Sequence, residues 1–381
     1  MADMKKIKVM TVVGTRPEII RLSCVIKKLD TICDHVLVHT GQNYDYELNQ
    51  IFFDEMGIRQ PNTFLGAAGE NSIVTIGNIL IAIDKVFETE KPDALLILGD
   101  TNSCLVAIPA KRRKIPIFHM EAGNRCFDLR VPEEINRKIV DHISDINLTY
   151  SSISREYLLR EGIPGDQIIK VGSPMREVIL THKDLIEKST ILDDLGLAER
   201  KYFLISAHRE ENIEDEHTLQ KLVSLIIRLE EEYHLPVVVS THPRTRKRLE
   251  PYLDGFNDAI QFMRPLGYGS YNKLQIFSKL VLSDSGTITE EASLLGFAAV
   301  NLREVHERPE GMEEGAVILT GMDFNRIQQA ITIYDQSDHS PGGYSDIVGD
   351  YMAQNVSDKV LKIIHSYVNY VNKFTWKKCD A

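Results

Sequence analysis

Short apolar runs alternate with amphipathic stretches along the first half of the chain. The apolar runs predict strands at residues 7–13, 35–40, 94–98, 116–120, 146–150 and 168–171. The amphipathic stretches predict helices, notably at residues 17–29, 73–90, 133–143 and 154–161. Strands that alternate with helices of this length form βαβ units and a mainly parallel sheet.

The alternation pauses at residues 172–174, a Gly-Ser-Pro sequence typical of a linker. It resumes with predicted strands at residues 202–206, 236–240, 260–262, 280–283 and 298–302, separated by helices at 219–233, 271–279 and 289–295. Residues 337–349 predict a surface loop, and residues 356–376 predict one long C-terminal helix. The fold class is therefore α/β, with two similar three-layer halves.

The length, net charge and cysteine content of the chain limit the kinds of function that it can have. At 381 residues the chain is too long for one ordinary core, which favours two domains. Its net charge of -11 argues against nucleic acid or an anionic membrane as the main partner. The five cysteines are odd in number and form no CxxC pair, so neither a disulfide framework nor a zinc site is indicated. The apolar run near the N-terminus is too short to span a membrane, and we expect a cytoplasmic protein.

Acidic residues follow two of the predicted strands of the first half. Glu121 comes directly after the apolar run at residues 115–118, and Asp100 follows the run at 94–98. In open α/β sheets, ligands lie just outside the carboxyl ends of the strands. Two neighbouring strands that each present a carboxylate at this edge suggest proton transfer.

Two strand ends offer anion-binding patterns. Arg16 and the helix N-terminus after Gly14 predict one such site, although an ordinary strand–helix turn with a solvated arginine explains the same residues. Residues 285–287 can offer backbone amides to a diphosphate at a helix N-terminus. Either Glu290 or Glu291 complements the dipole of that helix, and the other could accept hydrogen bonds from ribose hydroxyls.

Further polar residues follow strands of the second half. His208 and His242 each come directly after a predicted strand, which raises their chance of a functional role above that of an average histidine. Arg303 and Arg308 belong to a charge-dense loop that either is solvated or binds an anion. No dinucleotide fingerprint, P-loop, HExxH, GxSxG or clustered metal ligands occur, so we expect no cofactor, no metal and no serine nucleophile.

Taken together, eight of these motifs resemble the non-hydrolysing UDP-N-acetylglucosamine 2-epimerase family, in the order found in that family from Val13 to about Glu310. They are Gly-Thr-Arg-Pro-Glu (14–18), Gly-Asp-Thr (99–101), His-Met-Glu-Ala-Gly (119–123), Pro-Glu-Glu-Ile-Asn-Arg (132–137), His-Arg-Glu-Glu-Asn (208–212), Asp-Ser-Gly (284–286), Glu-Glu-Ala (290–292) and Glu-Arg-Pro-Glu (307–310). The match is specific because all eight occur in one order.

The resemblance implies parallel sheets with helices on both faces, in two Rossmann-like domains that face a cleft, the glycosyltransferase-B arrangement. The implied domains are residues 1–173, residues 174–355 and a final helix at 356–381 that returns to the first domain. The family's acid/base positions fall on Asp100, Glu121, Glu133 and His208. The expected substrate-binding residues are Arg16, Arg21, His242, Ser285, Gly286, Thr287, Glu291, Arg303 and Arg308. The implied partner is a UDP-linked amino sugar, and the implied assembly is a homodimer.

Within the family, the chain looks most like the branch that forms UDP-N-acetyl-L-fucosamine from UDP-2-acetamido-2,6-dideoxy-β-L-talose for surface polysaccharide synthesis. Residues 41–45, 100–103, 123–128, 306–315 and 367–372 carry this finer resemblance. Arg21, Glu210 and Thr287 depart from the N-acetylglucosamine enzymes, which carry Lys, Arg and Gly there. Their Gly-Gln-His-Arg is here Gly-Gln-Asn-Tyr, which puts activation by a second substrate molecule in doubt.

The implied chemistry explains the residue types. The C2 proton of a 2-acetamido sugar is not acidic, but expulsion of UDP from C1 acidifies it and leads to a glycal. Return of the proton on the other face and of UDP to C1 gives the epimer, which requires acid/base groups and a diphosphate site. The alternatives are a UDP-N-acetylglucosamine/UDP-N-acetylmannosamine 2-epimerase, a two-domain glycosyltransferase and a sugar-nucleotide sensor without activity.

Overall fold

The computed structural model describes residues 5–42, 46–207, 215–241, 243–336 and 348–378. These residues form two compact units. The first comprises the chain up to Thr181 and from Asp350 onward, and the second comprises His182–Gly349. Apart from Val348 and Gly349, the loop predicted at 337–349 lies outside the described residues.

A parallel sheet forms the centre of the first unit. Its strands are β1 (Lys8–Val13), β2 (Asp34–His39), β3 (Thr63–Phe64), β4 (Ala94–Leu98), β5 (Ile117–Met120), β6 (Ile146–Thr149) and β7 (Ile168–Lys170). They lie side by side in the order β3-β2-β1-β4-β5-β6-β7. Because β1 lies between β2 and β4, the order reverses there, as in doubly wound sheets that bind ligands at this edge.

Helices connect these strands. They are α1 (Arg16–Ile32), α2 (Tyr46–Glu55), α3 (Ser72–Glu90), α4 (Ala107–Arg112), α5 (Pro132–Ile143), α6 (Ser152–Arg160) and α7 (Met175–Thr181), with 3-10 turns at Asn102–Val106 and Gly165–Gln167. Leu95 and Ile97 of β4 pack with Ile79 and Ile83 of α3 in one apolar cluster. The alternate residues of β4 are also buried, so both faces of the sheet are covered.

The second unit repeats this plan. Its strands are β8 (Phe203–Ser206), β9 (Val237–Ser240), β10 (Ile260–Met263), β11 (Leu280–Ser283), β12 (Ala299–Asn301) and β13 (Ile318–Leu319), in the order β10-β9-β8-β11-β12-β13. The described helices are α8 (Lys183–Lys188), α9 (Ile191–Asp194), α10 (Glu216–Tyr233), α11 (Pro243–Leu249), α12 (Tyr268–Phe277), α13 (Ile288–Leu295), α14 (Pro309–Glu313) and α15 (Phe324–Asp335), with a 3-10 turn at Glu250–Gly255.

Alternate residues of β8 show that helices cover both faces of the second sheet. Phe203 and Ile205 pack in a cluster with Leu225 of α10 and Ile327 of α15. Leu204 packs in a different cluster, with residues of α12 and α13. The prediction of two parallel sheets with helices on both faces is confirmed.

The chain returns to the first unit through a 3-10 turn at Gly349–Tyr351 and α16 (Val356–Tyr370), which packs against α1. The helix is shorter than the predicted one, because a π-helical turn at Val371–Thr375 follows it. The units divide after Thr181 and Gly349, whereas the sequence indicated boundaries at 173/174 and 355/356. The reason for the first difference is that α7 packs against α1 and so belongs to the first unit.

Helix α5 has an unusual distribution of side chains. Its buried face is mainly polar, with Glu134, Arg137 and Asp141 all less than 3% exposed. Ile135 and Ile139, one turn apart, are 50% and 38% exposed. Amphipathic helices normally bury their apolar stripe. Here the stripe at helical spacing faces outward, and charged side chains anchor the helix to the sheet.

Among the described residues, no helix combines the length and the apolar composition needed to cross a membrane.

His39, the last residue of β2, is buried against aromatic rings. Its imidazole stacks on Phe64 with ring centroids 5.2 Å apart, and its Nδ1 accepts a hydrogen bond of 3.0 Å from the Gly41 amide. Burial lowers the pKa of His39 to about 4. Protonation would remove the acceptor that the Gly41 amide uses and would place a charge among apolar groups.

We expect His39 to make the folded protein sensitive to mild acid. Because its folded pKa of about 4 lies below its usual 6.5, the stability it confers is complete above pH 6.5. The stabilising free energy, on the order of 3 kcal/mol, is lost as the pH falls from 6.5 towards 4. The variant His39→Asn keeps an acceptor for Gly41 but does not titrate. Its free energy of unfolding by denaturant should therefore fall less than that of the wild type between pH 7 and 4.5, and equal losses would contradict this assignment.

Candidate active site

The carboxylates predicted at two strand ends lie at the same edge of the first sheet. β4 and β5 pair in parallel with Leu98 opposite Met120, and the Gly99 amide donates a hydrogen bond of 3.0 Å to the Met120 carbonyl. Asp100 and Glu121 follow directly after these positions. The pairing of the two strands therefore brings the two carboxylate-bearing residues together.

Glu121 has a backbone conformation that side chains rarely adopt. Its φ is 64°, in the left-handed region, and the residue is 8% exposed. Its carboxylate forms an ion pair with Arg21 of α1, and it accepts a hydrogen bond of 3.2 Å from the amide of Asn124. A non-glycine residue at positive φ costs roughly 1–3 kcal/mol and is frequent at functional sites. The surrounding contacts hold this carboxylate in one position despite that cost.

Asp100 is held by α5. Arg137 donates through Nε to its carboxylate at 2.6 Å, and Asn136 donates to its backbone carbonyl at 2.9 Å. The Asp100 side chain is 20% exposed, whereas that of Arg137 is 3% exposed. The arrangement leaves one side of the carboxylate open to solvent, where a ligand can reach it.

The two glutamates at the start of α5 have different environments. Glu134 is buried, pairs with Arg137 at 2.8 Å and accepts a hydrogen bond of 3.1 Å from the Cys126 amide. Burial opposes its ionisation, but the Cys126 amide and Arg137 outweigh it, so the pKa of Glu134 lies below its usual value. Glu133, the predicted acid/base residue, is only half-buried. Glu134 therefore holds the loop, and Glu133 is the one within reach of solvent.

At the helix N-terminus predicted to bind an anion, the amides donate to a glutamate of the same helix. The Glu18 carboxylate accepts hydrogen bonds from the amides of Gly14 and Thr15, at 2.5 and 3.0 Å, and from the Thr101 hydroxyl at 2.5 Å. Burial raises the pKa of Glu18 to about 7. In this structure Glu18 therefore occupies the amides that the sequence offered as part of an anion site with Arg16. The Arg16 guanidinium lies 5.5 Å from the centre of the Phe52 ring.

In the second unit, hydrogen bonds from backbone amides to serine hydroxyls stabilise the loop after β11. The Ser285 amide donates to the Ser283 hydroxyl at 3.1 Å, and the Thr287 amide donates to the Ser285 hydroxyl at 3.3 Å. Ser285, Gly286 and Thr287 are half-buried, directly before α13. The loop is therefore preformed and accessible at the carboxyl edge of the second sheet.

The adjacent glutamates of α13 differ in burial and in their partners. Glu290 is fully buried and pairs with Arg308 at 3.0 Å. Glu291 is half-buried and accepts a hydrogen bond of 2.7 Å from Gln275. Glu290 is thus used inside the protein, and Glu291 is the more accessible of the two.

The charge-dense loop after β12 is buried rather than solvated. Arg303 and Arg308 are 4% and 3% exposed, and Arg303 pairs with Glu307 at 3.0 Å. Burial and the nearby Arg303 lower the pKa of His306. Because β11 and β12 pair in parallel, this loop and the Ser285–Thr287 loop follow adjacent strands at one edge of the sheet. Each of the two guanidinium groups pairs with a buried glutamate.

Two predicted site residues, His208 and His242, lie outside the described residues. Among the residues that the structure describes, no group of three or more His, Cys, Asp or Glu side chains is arranged to hold a metal ion.

Several residues that hold the predicted acids or the backbone around them were not predicted from the sequence. They are His119, Asn124, Arg125, Arg137 and Asp141. His119 and Arg137 belong to the eight motifs, and Asn124 and Arg125 to the segment at residues 123–128, but none of the four received a role. Glu134, Arg137 and Asp141 recur at helical spacing on α5, and a stripe of charges at that spacing next to an apolar stripe was the available signal.

Comparisons with known proteins agree with this architecture. The family model described as UDP-N-acetylglucosamine 2-epimerase matches residues 27–365. The structure of UDP-N-acetylglucosamine 2-epimerase from Rickettsia bellii is similar at 51% identity and a TM-score of 0.90, covering 98% of this chain and 100% of that one.

Two further relatives carry information about ligands. The Methanocaldococcus jannaschii UDP-GlcNAc 2-epimerase in complex with UDP-GlcNAc and UDP is 34% identical with a TM-score of 0.87, covering 94% of this chain and 100% of that one. The UDP-2,3-diacetamido-2,3-dideoxy-D-glucuronate 2-epimerase of Pseudomonas aeruginosa is 33% identical, covering 91% of this chain and 99% of that one.

Proposed function

We propose, since the chain belongs to the UDP-N-acetylglucosamine 2-epimerase family and is an isomerase of UDP-linked sugars, that it inverts C2 of a UDP-2-acetamido sugar by elimination and re-addition of UDP. In this proposal Asp100, Glu121, Glu133 and His208 are the catalytic residues. The observation that carries it is the strained, buried Glu121, fixed by Arg21 at the sheet edge next to Asp100.

The chemistry requires proton transfer on both faces of C2. Departure of UDP from C1 makes the C2 proton acidic, and a carboxylate removes it to leave a glycal. A second group returns a proton to the opposite face as UDP adds back to C1. Each such acid/base group typically contributes roughly 10²–10⁴-fold to the rate. Two carboxylates on adjacent strands, held from different sides by Arg21 and Arg137, are suited to these two steps.

The departing UDP carries a growing negative charge, which needs fixed cationic or N–H donors. We assign the nucleotide to the second unit, where Ser285, Gly286 and Thr287 precede α13 and where Arg303 and Arg308 lie after the next strand. Glu291 is assigned to the ribose hydroxyls, because it is the more accessible of the two glutamates on α13. Arg16, Arg21 and His242 complete the proposed substrate-binding residues.

The proposed sugar is UDP-2-acetamido-2,6-dideoxy-β-L-talose, which would give UDP-N-acetyl-L-fucosamine. This finer assignment rests on the pattern at residues 41–45, 123–128 and 306–315 and on the departures at Arg21 and Thr287. The second candidate, UDP-N-acetylglucosamine, is favoured by the relatives with that name, one of which binds UDP-GlcNAc. Both sugars present the same diphosphate and the same C2 chemistry. As the family resemblance implies, we expect a homodimer, in which a second copy could cover the exposed isoleucines of α5.

Incubation in D₂O tests the reaction and the substrate together. With the L-talo and D-gluco nucleotides assayed side by side, the true substrate should give an epimer that carries deuterium at C2. Faster turnover of the L-talo compound supports the finer proposal, and faster turnover of the D-gluco compound contradicts it. Absence of both deuterium and epimer with either nucleotide would refute the epimerase mechanism.

A further inference from the structure

We infer that His119 and Asp141 are positioning residues that set the geometry between Asp100 and Glu121. The inference rests on the proposed function, because it concerns how the two proposed acid/base groups are held. Neither residue touches the substrate in this account. Each acts by contacting the backbone next to Asp100 or Glu121.

His119 lies on β5, two residues before Glu121, and is 1% exposed. Its Nε2 lies at hydrogen-bond distance, 2.8 Å, from the Gly99 carbonyl, which directly precedes Asp100. The imidazole therefore links the end of the strand that carries Glu121 to the turn that carries Asp100.

Asp141 lies on α5 and holds the backbone on both sides of Glu121. Its Oδ1 forms an ion pair of 2.9 Å with Nδ1 of His119, and its Oδ2 accepts a hydrogen bond of 3.2 Å from the Gly123 amide. One carboxylate thus contacts the residue two before Glu121 and the residue two after it. Such a clamp fixes the direction in which Glu121 leaves the strand.

The backbone needs this support because it turns sharply at both carboxylates. Gly99 has a φ of 74°, Glu121 of 64° and Gly123 of 83°. Gly123 also lies so close to α6 that a Cβ would meet the Ser154 carbonyl oxygen at 2.4 Å. Left-handed residues persist only where surrounding contacts determine them.

Charged and polar groups surround the His119 ring. Its two nitrogens lie near oxygen atoms, Nε2 near the Gly99 carbonyl and Nδ1 near the Asp141 carboxylate. Burial alone would lower the pKa of His119, but the Asp141 carboxylate outweighs it, and the pKa lies above its usual value. Arg125 pairs with Asp141 at 2.7 Å and with Glu161 at 2.6 Å, which balances the buried charge.

Two substitutions separate the two links. His119→Asn retains a donor near the Nδ1 position and loses the link to Gly99, whereas His119→Gln retains a donor near the Nε2 position and loses the link to Asp141. We expect His119→Asn to lower kcat about a hundredfold, the effect of a displacement of about 1 Å at a catalytic group, with KM for the UDP-sugar within about threefold. His119→Gln should recover at least part of this loss.

His35 provides a matched control. It is a second buried histidine on a strand of the same sheet, with Nδ1 at 2.5 Å from Asp30 and Nε2 at 2.8 Å from the Thr11 hydroxyl. It lies at the start of β2, at the opposite edge from Glu121. His35→Asn should leave kcat at the wild-type value, even if it lowers the melting temperature by as much as His119→Asn.

The outcomes distinguish the inference from the proposed function. If the wild type incorporates no deuterium, the proposed function fails. If the wild type is active and the His119 variants match its kcat, or if His35→Asn loses kcat to the same extent, the positioning role is overturned. Should His119→Asn not fold, Asp141→Asn tests the same clamp, and wild-type kcat in that variant would also overturn the inference.

Discussion

Replacement of Glu121 by Gln should lower kcat for epimerisation by roughly 10²–10⁴-fold. Gln has nearly the shape of Glu, and its carbonyl oxygen can still accept from Arg21, while its amide nitrogen replaces the oxygen that accepts from Asn124; it cannot accept the C2 proton. Binding of UDP, measured by calorimetry, should be retained, because the nucleotide is assigned to the second unit. Turnover and C2 deuteration of the wild type and the variant provide the measurement.

A matched control is Glu156→Gln. Glu156 lies on the exposed surface of α6, where it pairs with Arg160 at 2.9 Å. An exposed ion pair of this kind contributes at most about 1 kcal/mol, so the variant should keep wild-type kcat. Wild-type turnover in Glu121→Gln would remove Glu121 from the proposed mechanism. Loss of UDP binding together with turnover would point to a folding defect in that variant instead.

Replacement of Arg125 by Leu should destabilise the protein by about 3–5 kcal/mol, because it leaves the buried Asp141 carboxylate without its guanidinium partner. The Arg125 side chain is fully buried and connects Asp141 on α5 with Glu161 after α6. Removal of the guanidinium leaves Asp141 facing only His119 and the Gly123 amide. Thermal or denaturant unfolding of the wild type and the variant measures this loss.

Arg113→Leu is the matched control for this loss of stability. Arg113 also contacts a carboxylate through two nitrogens, with Nε at 2.5 Å and Nη2 at 2.8 Å from Asp84, but the pair is exposed. Its removal should cost no more than about 1 kcal/mol. Similar losses in the two variants would show that burial does not determine the strength of the Arg125 pairs.

The strands of this fold could be predicted because their apolar runs are buried on both faces. The predicted strands at 94–98 and 280–283 coincide with β4 and β11. The two-residue strands β3 and β13 could not be predicted in this way, since pairing with β2 and β12 defines them rather than any pattern of their own. Helix α15, whose N-cap Asp323 accepts hydrogen bonds from the amides of Asn325 and Arg326, carried a capping signal that went unused.

The candidate site was predictable in its location but not in its contacts. The position of Asp100 and Glu121 follows from the rule that parallel strands end at one edge. The pairing of Glu121 with Arg21 joins residues one hundred positions apart in sequence, and periodicity carries no information about such pairs. The sequence around Gly14 indicated an anion site, but a carboxylate three residues into the helix competes for the same amides. Which anion occupies such amides depends on the local geometry.

The outward-facing isoleucines of α5 have a consequence for mutational tolerance. In a scan of all substitutions, positions that look like surface by residue type, Glu134, Arg137 and Asp141, should behave like core positions. Ile135 and Ile139 resemble core positions by residue type, but because they are exposed they should accept polar residues. The degree to which they do so would report on whether a second copy of the chain covers that face.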